Sequence, residues 1–159
     1  MQFVRETRIA APPAVVFAFH ESPRVLERLT PPWERVELVE GGDSIRAGSR
    51  VVLRTWLGLL PIRWVAEHTE YDPPRGFADR QVSGPFASWY HRHRFLDDGA
   101  GGTLLRDEVE YEPPLGWVGR ALGGSVLEEK LRRLFEYRQE KTRRIVEQGD
   151  FLAAPASSR

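Results

Sequence analysis

Apolar and polar positions along this chain follow three successive patterns. The first pattern begins with β-branched and aromatic residues over 2–9, which predict a strand. Two prolines and the helical spacing of the residues after them predict a short helix over 12–20. Ser22 followed by proline is typical of a helix start, and it predicts a second short helix over 24–29 that ends at the prolines after Thr30.

The second pattern is a series of short strand-like segments from Glu34 to Glu112. Each segment is rich in β-branched or aromatic residues and is bounded by Gly, Pro or Asp, as expected for strands joined by tight turns. The close spacing predicts an antiparallel meander with strands over 34–41, 49–57, 62–72, 76–83, 87–97 and 103–112.

The third pattern is helical and follows a Gly-rich link, "EPPLGWVGRALGGS". Ser125 with Glu128 three residues later forms a capping box, and Gly149 is placed to end the helix. Arg138 interrupts the apolar side of this helix, so it either reaches inward to a carboxylate such as Asp107 or extends towards solvent. The apolar stripe itself consists of Leu127, Leu131, Leu134, Phe135, Thr142 and Ile145.

Together these elements predict an α+β fold. A curved, seven-stranded antiparallel sheet has two short helices after its first strand, and a long C-terminal helix covers its apolar face. A sheet that grips a helix in this way leaves a cavity between the two layers. We expect a single domain over residues 1–148 and a flexible tail over residues 149–159.

Composition excludes several classes of function. Lys plus Arg equals Asp plus Glu at 23 each, so no net field favours nucleic acid, and we expect no nucleic-acid partner. The lack of cysteine excludes disulfides, thiolate nucleophiles and Cys-ligated metals. Without a signal peptide or an apolar run long enough for a membrane span, we expect a cytoplasmic protein with no integral membrane association. Five tryptophans are more than a small core requires, and large aromatic residues also line apolar ligand cavities.

Six segments of the chain carry a resemblance to a known superfamily. They are "IAAPPAVVFAF", "LTPPW", "RWVAEHTEYDPPRGFADRQVSGPF", "WYHRHRF", "GGTLLRDEVEYEPPLG" and "LFEYR". With these segments the chain resembles the START/SRPBCC (helix-grip, polyketide cyclase-like) superfamily, and more closely its uncharacterised bacterial ligand-binding branch. The resemblance implies the helix-grip fold and a domain that binds lipids, sterols, plant hormones or polyketides. It also implies two alternatives, since some members act as aromatase/cyclases and some assist chaperones.

The stretch "WYHRHRF" places two histidines on one side of a strand and two arginines on the other. If the arginines face solvent, the histidines face the interior, and the same alternation turns acidic and amide groups inward on the neighbouring strands. Hairpin geometry then places His93 opposite Asp107, and His91 opposite Asp79 or Gln81. The sequence therefore predicts a polar row of these five residues across the inner face of the sheet.

This polar row admits three interpretations. Buried polar groups are nearly always paired, so the row can be a self-satisfied network in which carboxylates orient the imidazoles. It can also be the polar end of a ligand cavity. A histidine paired with an aspartate can, third, act as a general base, and the catalytic candidates are then His91, His93, Asp79 and Asp107.

We expect the domain to bind a small, largely hydrophobic molecule; the alternatives are an enzyme of the cyclase or dehydratase type and a chaperone-assisting interaction module. A His-x-His pair with a third ligand could hold a metal, but strand histidine pairs more often hold none, so we predict neither a metal nor a cofactor. The sequence sets no oligomeric state. The residues predicted to contact the ligand are Trp56, Trp64, His68, Phe77, Asp79, Gln81, Trp89, His91, His93, Phe95, Asp107, Val109, Tyr111, Leu131 and Phe135.

Overall fold

The fold is a curved antiparallel sheet with helices on one face, in a computed structural model that describes residues 1–114 and 116–150. For residue 57 and residues 116–123 the description covers the backbone. The elements are β1 (Gln2–Ile9), α1 (Pro13–His20), α2 (Val25–Arg28), β2 (Val36–Gly41), β3 (Arg50–Leu57), β4 (Leu60–Asp72), β5 (Gly76–Ser83), β6 (Ser88–Asp97), β7 (Thr103–Glu112) and α3 (Gly116–Gln148). The strands lie in the order β1-β7-β6-β5-β4-β3-β2, which confirms the predicted α+β helix-grip fold.

The two short helices begin differently from each other. Helix α1 begins at Pro13. Proline lacks an N–H group, and this costs no hydrogen bond here, because the first N–H groups of a helix have no partner within it. Helix α2 follows Arg24, whose backbone is left-handed with φ of 61°, and no side chain caps it. The Ser22 hydroxyl instead donates to the carbonyl oxygen of Phe19 at 2.6 Å. The prediction that Ser22 caps the second helix is therefore wrong, because a local hydrogen bond to α1 takes its hydroxyl.

Helix α3 is longer than the sequence predicts. It begins at Gly116 rather than Ser125, so the Gly-rich segment is helical from Gly116 onward, and Ser125 lies inside the helix without forming a capping box. Glycine disfavours a helix by about 1 kcal/mol per residue, which is a weak preference that tertiary contacts can outweigh. The predicted end is confirmed: Gly149 has φ of 72°, its N–H donates to Val146, and the N–H of Asp150 donates to Ile145.

Two apolar clusters occupy the space between the sheet and the helices. Helix α3 packs along β1 and against β7, while α1 packs on β6 and on α3. The larger group, here called the α1 cluster, consists of Ile9, Ala11, Val16, Phe17, Phe19, Leu29, Phe77, Phe95, Leu105, Ile145 and Val146. The smaller group, here called the Trp89 cluster, consists of Trp89, Val109, Tyr111, Leu131 and Phe135.

A bulge in β4 changes which side chains face inward. His68 pairs with Asp79 on β5, but the register shifts before the next pair, which joins Glu70 to Ala78. Simple alternation from His68 would turn Glu70 into the interior. The extra residue turns it outward instead, where its carboxylate accepts a hydrogen bond from the Tyr90 hydroxyl at 2.7 Å.

The domain limits remain a prediction. Residues 151–159, which form most of the predicted tail, lie outside the described residues. Within the described part of the chain, no helix combines the length and the apolar character needed to cross a membrane.

We predict that Gly76→Ala lowers the free energy of unfolding by about 1–3 kcal/mol, because a new Cβ would overlap the carbonyl oxygen of His93 on β6. Gly124→Ala is the control. It lies inside α3, and a Cβ there would be 3.7 Å from the Met1 methyl carbon, an ordinary contact, so we expect a gain of about 0.5–1 kcal/mol. Urea denaturation measures both, and equal effects of the two changes would contradict the prediction.

Candidate functional site

Strand β6 connects the two apolar clusters through two histidines. The rings of His91 and His93 lie 3.9 Å apart between their centroids. His93 stacks on Phe77 of the α1 cluster at 4.1 Å, and His91 meets Phe135 of the Trp89 cluster edge-on at 5.0 Å. A layer of polar side chains therefore separates the two apolar clusters.

The cross-strand register around these histidines agrees with the sequence-based prediction. His93 pairs with Asp107 on β7, and His91 pairs with Asp79 on β5. The register resolves the alternative between Asp79 and Gln81 as partners of His91. Gln81 lies further along β5, where its amide bonds with the backbone N–H and carbonyl of Phe86, so it does not join the histidines.

The Asp107 carboxylate is the centre of the polar layer. Its Oδ1 lies 3.1 Å from His91 Nε2 in a hydrogen bond, and 2.8 Å from His93 Nδ1 at an angle too bent for one. Its Oδ2 accepts a hydrogen bond of 2.6 Å from Gln139 Nε2. The buried carboxylate thus joins β6, β7 and α3.

Gln139 is a member of the site that the sequence reasoning missed. Its amide nitrogen also donates to the carbonyl oxygen of Arg5 at 3.0 Å, and its amide oxygen accepts from the Thr7 hydroxyl at 2.7 Å. Position 139 follows Phe135 by one helical turn, on the buried side of α3. A glutamine at a core position of the apolar stripe was the signal available in the sequence.

The remaining two histidines of the chain border the same layer. His20 on α1 lies 5.7 Å from His93 between ring centroids, and its Nδ1 is 2.8 Å from the Val16 carbonyl oxygen. His68 on β4 is directly opposite Asp79, and its Nδ1 is 3.1 Å from the Ser49 hydroxyl. His20 was not among the predicted site residues because its partners come together only through the packing of α1 on the sheet.

Asp79 and Arg138 lack close partners of opposite charge. Asp79 Oδ2 lies 3.6 Å from His91 Nδ1, too far for a hydrogen bond. Arg138 forms no ion pair with the described residues, and its buried Nε has no hydrogen-bond partner among them. Of the two alternatives for Arg138, a direct contact with Asp107 is therefore not found among the described residues. The guanidinium lies 5.8 Å from the centre of the Phe135 ring.

The predicted apolar wall residues divide between the two faces of the sheet. Trp64 and Trp89 meet edge-on at 5.3 Å on the inner face, next to Phe86. Trp56 shares the face of Arg54, opposite to Trp64, and the Arg35 guanidinium lies 3.8 Å from its ring centre. Placing Trp56 inside was wrong, because the uninterrupted β3–β4 register turns it outward. The other predicted wall residues, Phe77, Phe95, Val109, Tyr111, Leu131 and Phe135, are all buried in the two clusters.

Burial and neighbouring charges shift the pKa values of the polar layer. Burial lowers the pKa of His93 and of His68, and it lowers that of His20 to about 4, so these rings are neutral at neutral pH. Burial raises the pKa of Asp107, but the nearby His93 and His91 lower it by a larger amount. The pKa of this carboxyl group therefore lies well below its usual range. Burial raises the pKa of Asp79. The site therefore combines the neutral imidazoles of His20, His68 and His93 with one firmly ionised carboxylate.

We predict that His20→Asn weakens the acid sensitivity of the fold. The pKa of His20 is about 4 in the folded protein and 6.5 in the unfolded chain, so the unfolded chain binds a proton at higher pH. The stability that is present above pH 6.5 is therefore lost as the pH falls to 4. This group contributes about 3 kcal/mol to that loss. Urea denaturation at pH 7 and at about pH 4.5 measures it in both proteins.

Comparing the two proteins isolates the contribution of His20. His68 and His93 also destabilise the fold as the pH falls, and Asp79 has the opposite effect, but all three are present in both proteins. The asparagine amide can still donate to the Val16 carbonyl. An unchanged difference between the two pH values in the variant would contradict the assignment.

The model of the family described as "Polyketide cyclase / dehydrase and lipid transport" matches residues 9–136. None of the curated protein sequences is significantly similar to the chain. Among solved structures, the protein TTHA0849 from Thermus thermophilus is similar at 21% identity and a TM-score of 0.61, over 98% of this chain and 100% of that one.

Two enzymes share the fold at low identity. The ZhuI aromatase/cyclase from a Streptomyces species, strain R1128, has 19% identity and a TM-score of 0.63, over 94% of this chain and 92% of its own. A norcoclaurine synthase mutant from Thalictrum flavum, bound to a transition-state analogue, has 11% identity and a TM-score of 0.70. The similarity covers 94% of this chain and 96% of the synthase. Since the family model spans most of the sequence, the chain belongs to the polyketide cyclase/dehydrase and lipid transport family, of the SRPBCC type.

Proposed function

We propose that this domain binds a small, largely hydrophobic molecule between the sheet and α3, with the polar end of the molecule at Asp79 and His93. The observation that carries the proposal is an uneven burial of the polar layer. Asp79 and His93 keep 17% and 16% of their side-chain surface accessible, whereas His91 and Asp107 keep 5% and 4%. The layer thus opens towards one side, next to β5.

The position of α3 supports a space on that side. The helix packs on β1 and β7, at one edge of the sheet, so the inner faces of β4 and β5 are further from it. Aromatic side chains border this region: Trp64 on β4, Trp89 on β6 and Phe86 in the turn between β5 and β6. Ligand sites are mostly apolar with a few placed polar groups, which is the arrangement found here.

The polar end favours ligands with a hydrogen-bond donor. Asp79 offers two carboxylate oxygens and receives no hydrogen bond from the described residues. Leaving such a group unpaired next to an apolar wall is unfavourable, and a hydroxyl or amine on the ligand would satisfy it. An aromatic or polyketide-like molecule with a hydroxyl group combines both requirements. The family description also mentions lipid transport, and a lipid would match the apolar wall of the site but not the acceptor at Asp79.

A second candidate function is proton transfer of the cyclase or dehydratase type. Asp107 is ionised and orients two imidazoles, and His93 is both neutral and partly accessible, as a general base at neutral pH requires. The structural similarity to an aromatase/cyclase agrees with this candidate without identifying a substrate. Binding is the better supported function, since the open side of the layer is sufficient for it.

We predict that native mass spectrometry of freshly purified protein detects a retained small molecule. Trp64→Ala should weaken binding of that molecule at least about tenfold, equal to about 1.4 kcal/mol, because it removes an aromatic wall. Trp56→Ala is the matched control: it deletes the same side chain from the outer face and should leave the affinity unchanged. A wild-type protein that carries no such molecule and binds no apolar dye would contradict the proposal, as would equal losses in the two variants.

His93→Gln separates binding from catalysis. If the retained molecule is a ligand alone, the variant should bind it within a few-fold of wild type, since glutamine keeps hydrogen-bonding capacity. If it is converted by the protein, the variant should bind it but lose turnover by about 10²–10⁴-fold, the usual contribution of a general base. Mass analysis of the molecule before and after incubation measures turnover.

A further inference from the structure

Three donor groups of the polar layer converge closely enough to hold one ion. One ring nitrogen each of His91 and His93 and one oxygen of Asp79 lie within 4.8 Å of one another. Within this group, His91 Nδ1 and Asp79 Oδ2 are 3.6 Å apart. Two ligands of tetrahedral zinc, each about 2.1 Å from the metal, are about 3.4 Å apart, so small side-chain movements would complete the geometry.

Asp107 fixes the orientation of the His91 ring. An ionised carboxylate accepts hydrogens, so His91 Nε2, which is hydrogen-bonded to it at 3.1 Å, carries one. The other ring nitrogen of His91, Nδ1, faces Asp79. A carboxylate behind the imidazole, fixing its tautomer and raising its basicity, is the usual partner of a metal-binding histidine.

No direct hydrogen bond closes the gap between His91 and Asp79. The two side chains face each other through His91 Nδ1 and Asp79 Oδ2 at 3.6 Å, which is beyond hydrogen-bond distance. A metal ion bound by both groups would bridge this gap.

We propose that Asp79, His91 and His93 form a binding site for a divalent first-row transition-metal ion, with zinc as the best fit. Two imidazoles and one carboxylate suit zinc, and three protein ligands leave its fourth position for water or another molecule. The site goes beyond the proposed function, since it needs no organic ligand.

Calorimetric titration of untagged, chelator-treated protein with zinc chloride tests the site. We expect one ion per chain with a micromolar or tighter dissociation constant. Asp79→Asn and His91→Gln should each weaken binding at least tenfold. His20→Asn is the matched control, because it changes a buried histidine beside the site that is not a donor, and its affinity should stay within twofold of wild type. Titration with Co²⁺ adds a visible absorption band that reports the geometry of the ligands.

Circular dichroism of each variant confirms folding before titration. If His91→Gln does not fold, Asp79→Asn decides the question, because this carboxylate has no hydrogen bond to lose. Folded wild-type protein that takes up no zinc would overturn the proposal. Uptake that is the same in wild type and Asp79→Asn would overturn it as well, since the ion would then bind elsewhere.

Discussion

The ionised carboxylate of Asp107 lies in the interior, and the rest of the inner face is arranged to satisfy it. An unpaired charge in this position would cost several kcal/mol, so its partners must stay in place in the folded state. His91 supplies a hydrogen bond from β6 and Gln139 supplies one from α3. Gln139 in turn bonds to Thr7 and to the carbonyl of Arg5 on β1. One buried charge therefore fixes the position of α3 along the sheet as well as the orientation of the histidines.

Local rules predicted the strands and the polar row well, because both depend on alternation along a strand and on turn positions. The pairing of His93 with Asp107 follows from these two rules alone. Trp56, the misplaced wall residue, shows where the approach fails: alternation gives two faces, but deciding which face is inner needs the neighbouring strand. His20 and the helical Gly-rich segment depend on tertiary packing, which outweighs local preference and leaves no periodic signal.

The two aspartates of the layer differ in how completely they are satisfied. Asp107 is surrounded by donors and stays ionised, while Asp79 has no donor among the described residues and has a raised pKa. Native proteins satisfy nearly all buried polar groups, so an incomplete one marks a place where something else binds. Asp107 thus serves the fold, and Asp79 is the residue to which we assign the polar contact in both proposals.

The chemistry of this domain resides in its inner-face residues rather than in its fold. Identities of 11–21% with structures that cover nearly the whole chain mean that the sheet and the long helix tolerate almost complete replacement of side chains. A fold that is shared so widely does not determine chemistry, so the chemistry of each member follows from the side chains it places inside. In this chain those residues include a fixed negative charge at Asp107, a cation at Arg138 and the neutral imidazole of His93. Such a preorganised field favours a complementary polar group over an apolar one, which is the reason that the proposed binding mode places the polar end of the ligand at this layer.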